Sequence, residues 1–269
     1  MTYLEAIILG IVQGLTEFLP VSSSGHLVIG QELLGIESAE GAPPIFELMV
    51  HAGTLLAVLI YFRQHLVEML LSLFAKDRPR ERMLILKLGL AMVPIVLAYL
   101  LFDEKLEASY KNPVLASSML ICTGILLMLP RWFDRPGVGG GSEVGWFQAI
   151  IMGIGQAIAI LPGISRSGST IVLGMLCGVK PARAAEFSFL LAIPAILGAL
   201  VVKAKDFGEI ETTNIGPYIA GTIAAFLFGL LAVFGVLESI RRGKFEIFGY
   251  YCLIAGTAAL AYFKFGGGA

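Results

Sequence analysis

Two short polar segments interrupt this otherwise apolar chain, and the second is a degenerate copy of the first. Residues 13–26 read QGLTEFLPVSSSGH, and residues 156–170 read QAIAILPGISRSGST. An offset of 143 residues aligns Gln13 with Gln156, and the same offset continues into the serine–glycine part of each segment. Proline- and glycine-broken segments at equivalent places in two apolar halves are typical of a ligand site at the middle of a membrane.

The composition favours a membrane protein. Hydrophobic residues make up 57% of the chain and charged residues 14%, and the mean hydropathy is +0.84. Soluble domains carry roughly 25% charged residues, so a polytopic membrane protein is predicted. The net charge of −1 says nothing about nucleic acid, and no basic stripe suggests such a partner, so none is predicted. The three cysteines lack metal-ligand spacing, and we expect buried, inert thiols at Cys122, Cys177 and Cys252.

Hydropathy divides the chain into six spanning segments and two broken ones. A membrane-spanning helix needs about 20 apolar residues. The segments that satisfy this length are about 44–64, 84–102, 113–131, 182–203, 216–238 and 246–264. The stretches of about 3–34 and 146–178 are also apolar, but Leu-Pro and a serine–glycine cluster cut each near its middle. Each is therefore predicted to form a re-entrant helical hairpin that returns to the side from which it entered.

The predicted fold is an all-α polytopic membrane protein built from two inverted-topology repeats. Each repeat contains one re-entrant helical hairpin and three transmembrane helices. The first repeat covers residues 1–133, a linker covers 134–145, and the second repeat covers 146–265. Three crossings are an odd number, so the second repeat enters the membrane from the opposite side. The two hairpin tips should then meet near the middle of the bilayer.

The positive charges predict the orientation of this arrangement. One side receives Arg63, Lys76, Arg78, Arg80, Arg82, Lys87, Arg131, Arg135, Lys180, Arg183, Arg241, Arg242 and Lys244. The other side receives Lys105, Lys111, Lys203, Lys205 and Lys264. The side rich in Lys and Arg should be cytoplasmic, which places both termini on the outer face. Arg166 belongs to neither group.

Arg166 lies at the predicted turn of the second hairpin, far from either membrane surface. A charged residue at this depth usually faces a cavity or a partner. Its planar guanidinium can hold a phosphate through paired hydrogen bonds, although a structural ion pair is the alternative. Ser165, Ser167, Ser169 and Thr170 surround it at the start of a short helix, whose free N–H groups favour an anion. This group predicts a phosphate site.

The first hairpin carries the hydroxyls and an imidazole. Ser22, Ser23 and Ser24 open its second short helix, where they act either as N-caps and small packing residues or in chemistry. His26 lies three and four residues after Ser23 and Ser22, on the same helical face. A hydroxyl beside an imidazole can activate an oxygen nucleophile or relay a proton. The alternative for His26 is a hydrogen bond to a neighbouring helix.

Gln13 and Glu17 lie one helical turn apart before the first break, so their oxygens face the same way. Together they could take part in binding a divalent cation, Mg²⁺ or Ca²⁺, with water and phosphate as the other ligands. Alternatively, Glu17 pairs with Arg166 or acts as an acid or base.

Three further polar residues occupy the apolar helices that follow the hairpins. Glu47 and Glu186 each lie near the start of a long helix, where acids commonly complement the helix dipole. His51 follows one turn after Glu47. A functional role and a structural one are equally compatible with these three residues.

The two motifs together resemble a known family. Gln13-x-x-x-Glu17, the segment PVSSSGH at 20–26 and the segment PGISRSGST at 162–170 are similar to the signatures of the bacterial undecaprenyl-diphosphate phosphatases of the bacitracin-resistance type. The family's first motif begins with Glu or Gln, and this chain has the Gln. The resemblance covers nearly the whole chain, including the order of its apolar segments.

The resemblance implies an integral enzyme of the bacterial cytoplasmic (inner) membrane. Its substrate would be undecaprenyl diphosphate, and removal of the terminal phosphate would regenerate the carrier lipid for peptidoglycan synthesis. The resemblance also implies dependence on a divalent cation and a site that opens to the periplasmic or outer face. The rival function is a polyprenyl-phosphate transporter or flippase, since inverted repeats with broken helices are also a transporter architecture.

For the enzyme, the residues suggest the following roles as hypotheses. Arg166 clamps the diphosphate, and Ser22 or Ser23 attacks phosphorus or orients water with His26 as its base. Glu17, assisted by Gln13, positions the metal or the proton. The anion pocket is lined by Ser24, Ser165, Ser167, Ser169 and Thr170.

Small residues between Gly221 and Gly229 would also permit a homodimer.

Overall fold

The computed structural model describes residues 1–36, 44–74, 77–132, 143–202 and 215–266. In these ranges the chain forms eleven α-helices and no β-strand. The helices are α1 Tyr3–Phe18, α2 Ser23–Leu33, α3 Pro44–Tyr61, α4 Arg63–Ser72, α5 Pro79–Ser109, α6 Pro113–Trp132, α7 Trp146–Ile158, α8 Arg166–Leu176, α9 Pro181–Val202, α10 Ile215–Arg241 and α11 Glu246–Ala261, which continues into a π-helical turn, Tyr262–Gly266. Most of the predicted linker lies outside the described residues.

Five of these helices are long and apolar enough to cross a membrane: α5, α6, α9, α10 and α11 with its π-helical turn. A sixth span results if α3 and α4 are counted together. The prediction of an all-α polytopic membrane protein is therefore confirmed. The inverted relation of the two repeats and the division at residues 134–145 stay predictions.

The predicted span 44–64 is not a straight helix. The chain bends by 76° between α3 and α4, and the bend lies at Phe62. Beyond it, α4 carries Arg63, Gln64, His65 and Glu68 among apolar residues. A helix with this many polar groups is costly within hydrocarbon, so it turns aside and packs against α5. Helix α4 was not predicted from the sequence.

Each broken stretch forms two short helices around a turn. The first break separates α1 from α2, and the second separates α7 from α8. Ser22 and Ser165 are the N-caps after the two breaks, and their hydroxyls accept hydrogen bonds from the N–H groups of Gly25 and Gly168 at 3.3 and 3.0 Å. The duplicated serines and glycines therefore start equivalent helices. The re-entrant path through a membrane stays a prediction.

The first helix of each pair packs on a long helix from the other half of the chain. Gly10 of α1 lies so close to α10 that a Cβ atom there would sit 2.2 Å from the Gly221 carbonyl oxygen. Gly153 of α7 lies equally close to α5, with the Ala91 carbonyl oxygen 2.4 Å from such an atom. In each half of the chain, the helix before the break thus packs on a long helix of the other half, as a duplicated arrangement would.

The small residues of α10 are used inside the chain. Gly221 packs against α1, and Gly229 packs against Ala57 of α3. This patch was predicted to permit contact between two copies, but neighbouring helices of the same chain already cover it. A homodimer stays a prediction, and this patch no longer supports it.

The two breaks meet in the protein interior. A Cβ atom on Gly25 would lie 2.7 Å from the Cα atom of Gly163, and the Ser167 hydroxyl donates to the Leu19 carbonyl at 2.9 Å. Thr123 of α6 fixes the second break because its hydroxyl donates to the Gly163 carbonyl at 2.8 Å. The tips are thus held in direct contact.

Replacing Gly163 with alanine should destabilise this junction. Gly163 has φ +95°, and an added Cβ atom would lie 2.2 Å from the Ala116 carbonyl oxygen. The backbone conformation alone costs a non-glycine residue about 1–3 kcal/mol, and the clash adds to it. Thermal unfolding in detergent measures the effect. The matched control is Gly243→Ala, where φ is +68° but the space is open, and equal losses in both variants would contradict the tight junction.

Candidate active site

Glu17, in the last turn of α1, is the centre of a buried hydrogen-bond network. Its Oε1 atom pairs with Nη2 of Arg166 at 2.5 Å. Its Oε2 atom accepts hydrogen bonds from the Ser23 hydroxyl at 2.6 Å and from Nε2 of Gln13 at 2.9 Å. The side chain is 5% exposed. The carboxylate therefore joins the two hairpin tips.

A small polar pocket of about 40 Å³ opens beside this network. Both breaks contribute to its wall. The lining residues are Thr16, Glu17, Ser22, Ser23, Ser24, Ala159, Ile164, Ser165 and Arg166. The space exceeds the roughly 10–15 Å³ that one water molecule needs. Glu17 and Arg166 thus share one cavity, as the sequence analysis expected of the hairpin tips.

One nitrogen of the Arg166 guanidinium is hydrogen-bonded and another is not. Nη2 contacts Glu17, whereas Nη1 is buried and has no hydrogen-bond partner among the described residues. A buried N–H group without an acceptor is costly, so a ligand oxygen at this position would be stabilised. A phosphate suits the guanidinium because it accepts two hydrogen bonds side by side.

The two candidate nucleophiles differ in their surroundings. The Ser22 hydroxyl caps α2, and Ser22 has φ +68° in the left-handed region. Such a conformation is costly for a non-glycine residue and is concentrated at functional sites. The Ser23 hydroxyl instead donates to the Glu17 carboxylate. Of the two serines, Ser23 is the one whose oxygen has a base within reach.

His26 does not pair with a serine hydroxyl, which differs from the sequence-based hypothesis. Nδ1 lies 2.8 Å from the Ser22 carbonyl oxygen, and Nε2 lies 2.8 Å from the Tyr251 hydroxyl. Because a carbonyl oxygen only accepts, Nδ1 carries a proton and Nε2 faces the phenol. The His26 and Tyr251 rings are also stacked, with an interplanar angle of 8°. The imidazole turns back onto its own helix start and away from the pocket.

Three of the predicted phosphate ligands lie outside the pocket, whereas Ser24 and Ser165 line it. The Ser167 hydroxyl donates to the Leu19 carbonyl, and the Thr170 hydroxyl contacts Ser188 at 2.6 Å as well as backbone carbonyls one turn back. Ser169 is buried without a hydrogen-bond partner among the described residues. Side chains rotate by 100° per residue around a helix, so neighbouring positions cannot all face one cavity.

His51 is a site residue that sequence reasoning left open. Its Nε2 atom lies 3.8 Å from Oε2 of Glu17, and its Nδ1 atom lies 2.6 Å from the Glu47 carbonyl oxygen. The Glu47 side chain accepts a hydrogen bond from Gln31 at 3.0 Å. Glu47 and His51, two polar residues in an otherwise apolar helix, were the available signal in the sequence. The sequence does not give the rotation of α3 about its axis, which decides where their side chains point.

Glu186 has a different environment from Glu47. It forms an ion pair with Arg183 at 2.9 Å, one turn earlier in the same helix, and both side chains are partly exposed. A surface pair of this kind contributes little to stability. The two acids occupy related places in the sequence without sharing a role.

This site has few oxygen atoms available as ligands for a resident divalent cation. Both Glu17 oxygens already accept hydrogen bonds. The Gln13 Oε1 atom has no partner among the described residues, but Gln13 is fully buried and does not line the polar pocket. The described part of the chain contains no cluster of three or more His, Cys, Asp or Glu residues that could hold a metal. As arranged, Glu17 and Gln13 therefore do not fit direct coordination, which needs about six oxygens.

The fold and this site define a polytopic helical membrane protein with a buried polar centre between two broken helices. The family model for the bacitracin resistance protein BacA matches residues 6–258. Undecaprenyl-diphosphatase of Salinibacter ruber is 40% identical over 97% of this chain and 99% of its own length. The enzymes of that name from Methanobrevibacter smithii and Christiangramia forsetii are 41% and 40% identical, over 95% and 97% of this chain and 96% and 98% of their own lengths. This chain belongs to the BacA family.

Proposed function

We propose that this protein is an integral membrane phosphatase that hydrolyses undecaprenyl diphosphate to undecaprenyl phosphate and inorganic phosphate. The names of its relatives support this substrate. The observation that carries the proposal is one pocket lined by a guanidinium, a carboxylate and a serine hydroxyl that donates to that carboxylate. The product would return to use as the carrier lipid of cell-wall synthesis.

Arg166 binds the diphosphate and stabilises the charge that develops on it. Its free Nη1 group offers hydrogen bonds to phosphate oxygens, while Nη2 is shared with Glu17. Preorganised donors in a site that excludes water commonly supply the largest part of catalysis. A bound diphosphate also competes with Glu17 for the guanidinium.

Ser23 and Glu17 form the reacting pair. The Ser23 oxygen attacks the terminal phosphorus, its proton passes to Oε2 of Glu17, and the bond from phosphorus to the bridging oxygen breaks to release undecaprenyl phosphate. Glu17 returns its proton to the departing undecaprenyl phosphate and then accepts one from a water molecule that attacks the phosphoserine. The bond between the Ser23 oxygen and phosphorus breaks, Ser23 takes the proton back from Glu17, and inorganic phosphate leaves. Glu17 takes the place of His26 as base because the Ser23 hydroxyl lies 2.6 Å from its carboxylate. His26, held by Tyr251, positions the backbone of the first break through the Ser22 carbonyl.

Direct attack by water is the alternative step at the same pair, with Ser23 and Glu17 orienting the water. A phosphoserine trapped on Ser23 after acid quench supports attack by serine. Its absence, together with retained turnover in Ser23→Ala, supports attack by water. Ser118→Ala is a matched control because that hydroxyl donates to the Val114 carbonyl within α6.

The resemblance also implies a divalent cation, which the arrangement of protein ligands does not favour as a resident ion. We propose that such an ion would bind through the diphosphate oxygens of the substrate and not through Glu17 and Gln13, because both Glu17 oxygens already accept hydrogen bonds. Several apolar helices support a multi-pass protein. Its place in the bacterial cytoplasmic membrane and a site that opens to the outer face are what the family resemblance implies, and the Lys and Arg distribution supports only the orientation, with both termini on the outer face.

Phosphate release by purified protein in detergent micelles tests the proposed function. Micelles have no two compartments, so transport contributes nothing to the signal. We expect release of inorganic phosphate from undecaprenyl diphosphate. Binding of the lipid without turnover would overturn the enzyme and support a polyprenyl-phosphate transporter or flippase that uses the same pocket.

A further inference from the structure

A second cavity lies among α6, α7 and α8, and its character is the opposite of the polar pocket. Its volume is about 250 Å³. The lining residues are Cys122, Thr123, Leu126, Gly155, Ile158, Ile164, Ser169 and Leu173. Apart from the hydroxyls of Thr123 and Ser169, this lining is apolar. We call this cavity the apolar groove.

The apolar groove begins where the polar pocket ends. Ile164 lines both cavities, and Ser165, the next residue, lines the polar pocket. Along α8, Ser165, Ser169 and Leu173 follow one another at intervals of four residues, so they share one helical face. That face runs for about 12 Å from the polar pocket into the apolar groove, and it changes from hydroxyl-bearing to apolar on the way.

The apolar groove opens on the outside of the helix bundle. Cys122 at its rim is exposed, which differs from the buried thiol expected from the sequence, and Ile158 is 54% exposed. In a membrane this outer surface faces hydrocarbon. A chain that enters the apolar groove from the polar pocket can therefore continue directly into lipid.

The Ser169 hydroxyl indicates what the inner end of the apolar groove accepts. It is 3% exposed and has no hydrogen-bond partner among the described residues. A chain that is hydrocarbon throughout would leave this buried group unsatisfied, at a cost in binding. The ester oxygen that joins a polyprenyl chain to its diphosphate can accept this hydrogen bond while the charged phosphates stay outside the apolar groove.

We propose that the apolar groove binds the isoprenoid units next to the head of a polyprenyl diphosphate, while Arg166 holds the diphosphate itself. This inference rests on the proposed function and assigns the tail of the same substrate to named residues. The apolar lining favours the chain through the hydrophobic effect and excludes the charged head, so it also fixes which end reaches Ser23. The remainder of a long chain lies in the bilayer.

Alkylation of Cys122 tests whether the apolar groove is occupied. Cys252 is buried and Cys177 is half-buried, so the variant Cys177→Ser leaves Cys122 as the accessible thiol. In detergent, a non-hydrolysable polyprenyl methylenediphosphonate should slow its reaction with a maleimide by about tenfold, the protection given by 90% occupancy. Methylenediphosphonate without a chain should leave the rate unchanged. Equal protection by a phospholipid would show occupancy by bulk lipid and would overturn the proposal, as would no protection.

A bulky residue in the apolar groove tests its role in turnover. Leu126→Trp should lower phosphate release from undecaprenyl diphosphate about tenfold and affect dimethylallyl diphosphate much less, because the short chain needs little of the apolar groove. The matched control is Ile125→Trp, since Ile125 is 48% exposed on the same helix and does not line the apolar groove. Equal loss for both substrates, or no loss, overturns the tail assignment.

Wild-type protein that releases no phosphate from either substrate overturns the proposed function instead, while the alkylation assay still reports on binding.

Discussion

Arg166→Ala should abolish phosphate release from undecaprenyl diphosphate, with a loss of about 10³-fold or more. The guanidinium lines the polar pocket, pairs with Glu17 and keeps a second buried N–H group for the substrate. Loss of one preorganised donor commonly costs about 10²–10³ in rate, and this change removes the cation as well. Phosphate release in micelles, measured at saturating substrate, gives the size of the effect.

The same change also leaves the buried Glu17 carboxylate without its cation. Breaking such a pair costs about 3–5 kcal/mol, so the fraction of folded protein must be measured by thermal unfolding. Arg166→Lys keeps a positive charge beside Glu17 but loses the planar fork, so we expect recovered stability with turnover still low. Arg131→Ala serves as a matched control because its pair with Glu246 is exposed. Near-normal phosphate release by a folded Arg166→Ala protein would exclude the clamp.

Glu17→Gln should lower turnover by about 10²–10⁴-fold, the range typical of a lost general base. The amide keeps the size of the carboxylate, but it cannot accept the proton of Ser23 and no longer neutralises Arg166. Trapped phosphoserine should disappear in this variant if serine attacks phosphorus. The assay is the same phosphate release, in parallel with binding of the non-hydrolysable polyprenyl analogue.

Glu186→Gln is the matched control for Glu17→Gln. Glu186 is also an acid of an ion pair, but its pair with Arg183 lies at a partly exposed surface, and surface pairs are worth about 0–1 kcal/mol. We expect turnover close to that of the unmodified protein. A Glu17→Gln protein with full activity and intact folding would show that the base lies elsewhere, and His51, whose Nε2 atom lies 3.8 Å from Oε2 of Glu17, would be the next residue to replace.

The fold does not by itself choose between an enzyme and a carrier. Broken helices that meet at a polar centre serve transport in other proteins, and function must be argued from the site. Here the Ser23 hydroxyl is already hydrogen-bonded to a carboxylate within 2.6 Å. Binding of an anion needs no such pair, whereas a hydroxyl beside a base is the arrangement that activates an oxygen nucleophile.

Several site contacts could not be read from the sequence. Tyr251 and His26 are 225 residues apart, and no local pattern connects them. The choice between Ser22 and Ser23 depended on which hydroxyl caps α2 and which one reaches Glu17. Likewise, Ser169 faces the apolar groove although it lies only three residues after Arg166. Each of these outcomes depends on the rotation of a helix about its own axis.

Composition, proline positions and charge placement were enough to predict a helical membrane protein, the breaks in its two apolar stretches, and functional roles for Glu17 and Arg166. These conclusions depend on composition, on proline and on the cost of charge in hydrocarbon, all of which act locally along the chain. The packing of distant helices was needed to show that the Ser23 hydroxyl donates to Glu17, that His26 contacts Tyr251, and that an apolar groove adjoins the polar pocket. Such contacts arise where distant helices pack together, because packing sets the position and rotation that each side chain finally has.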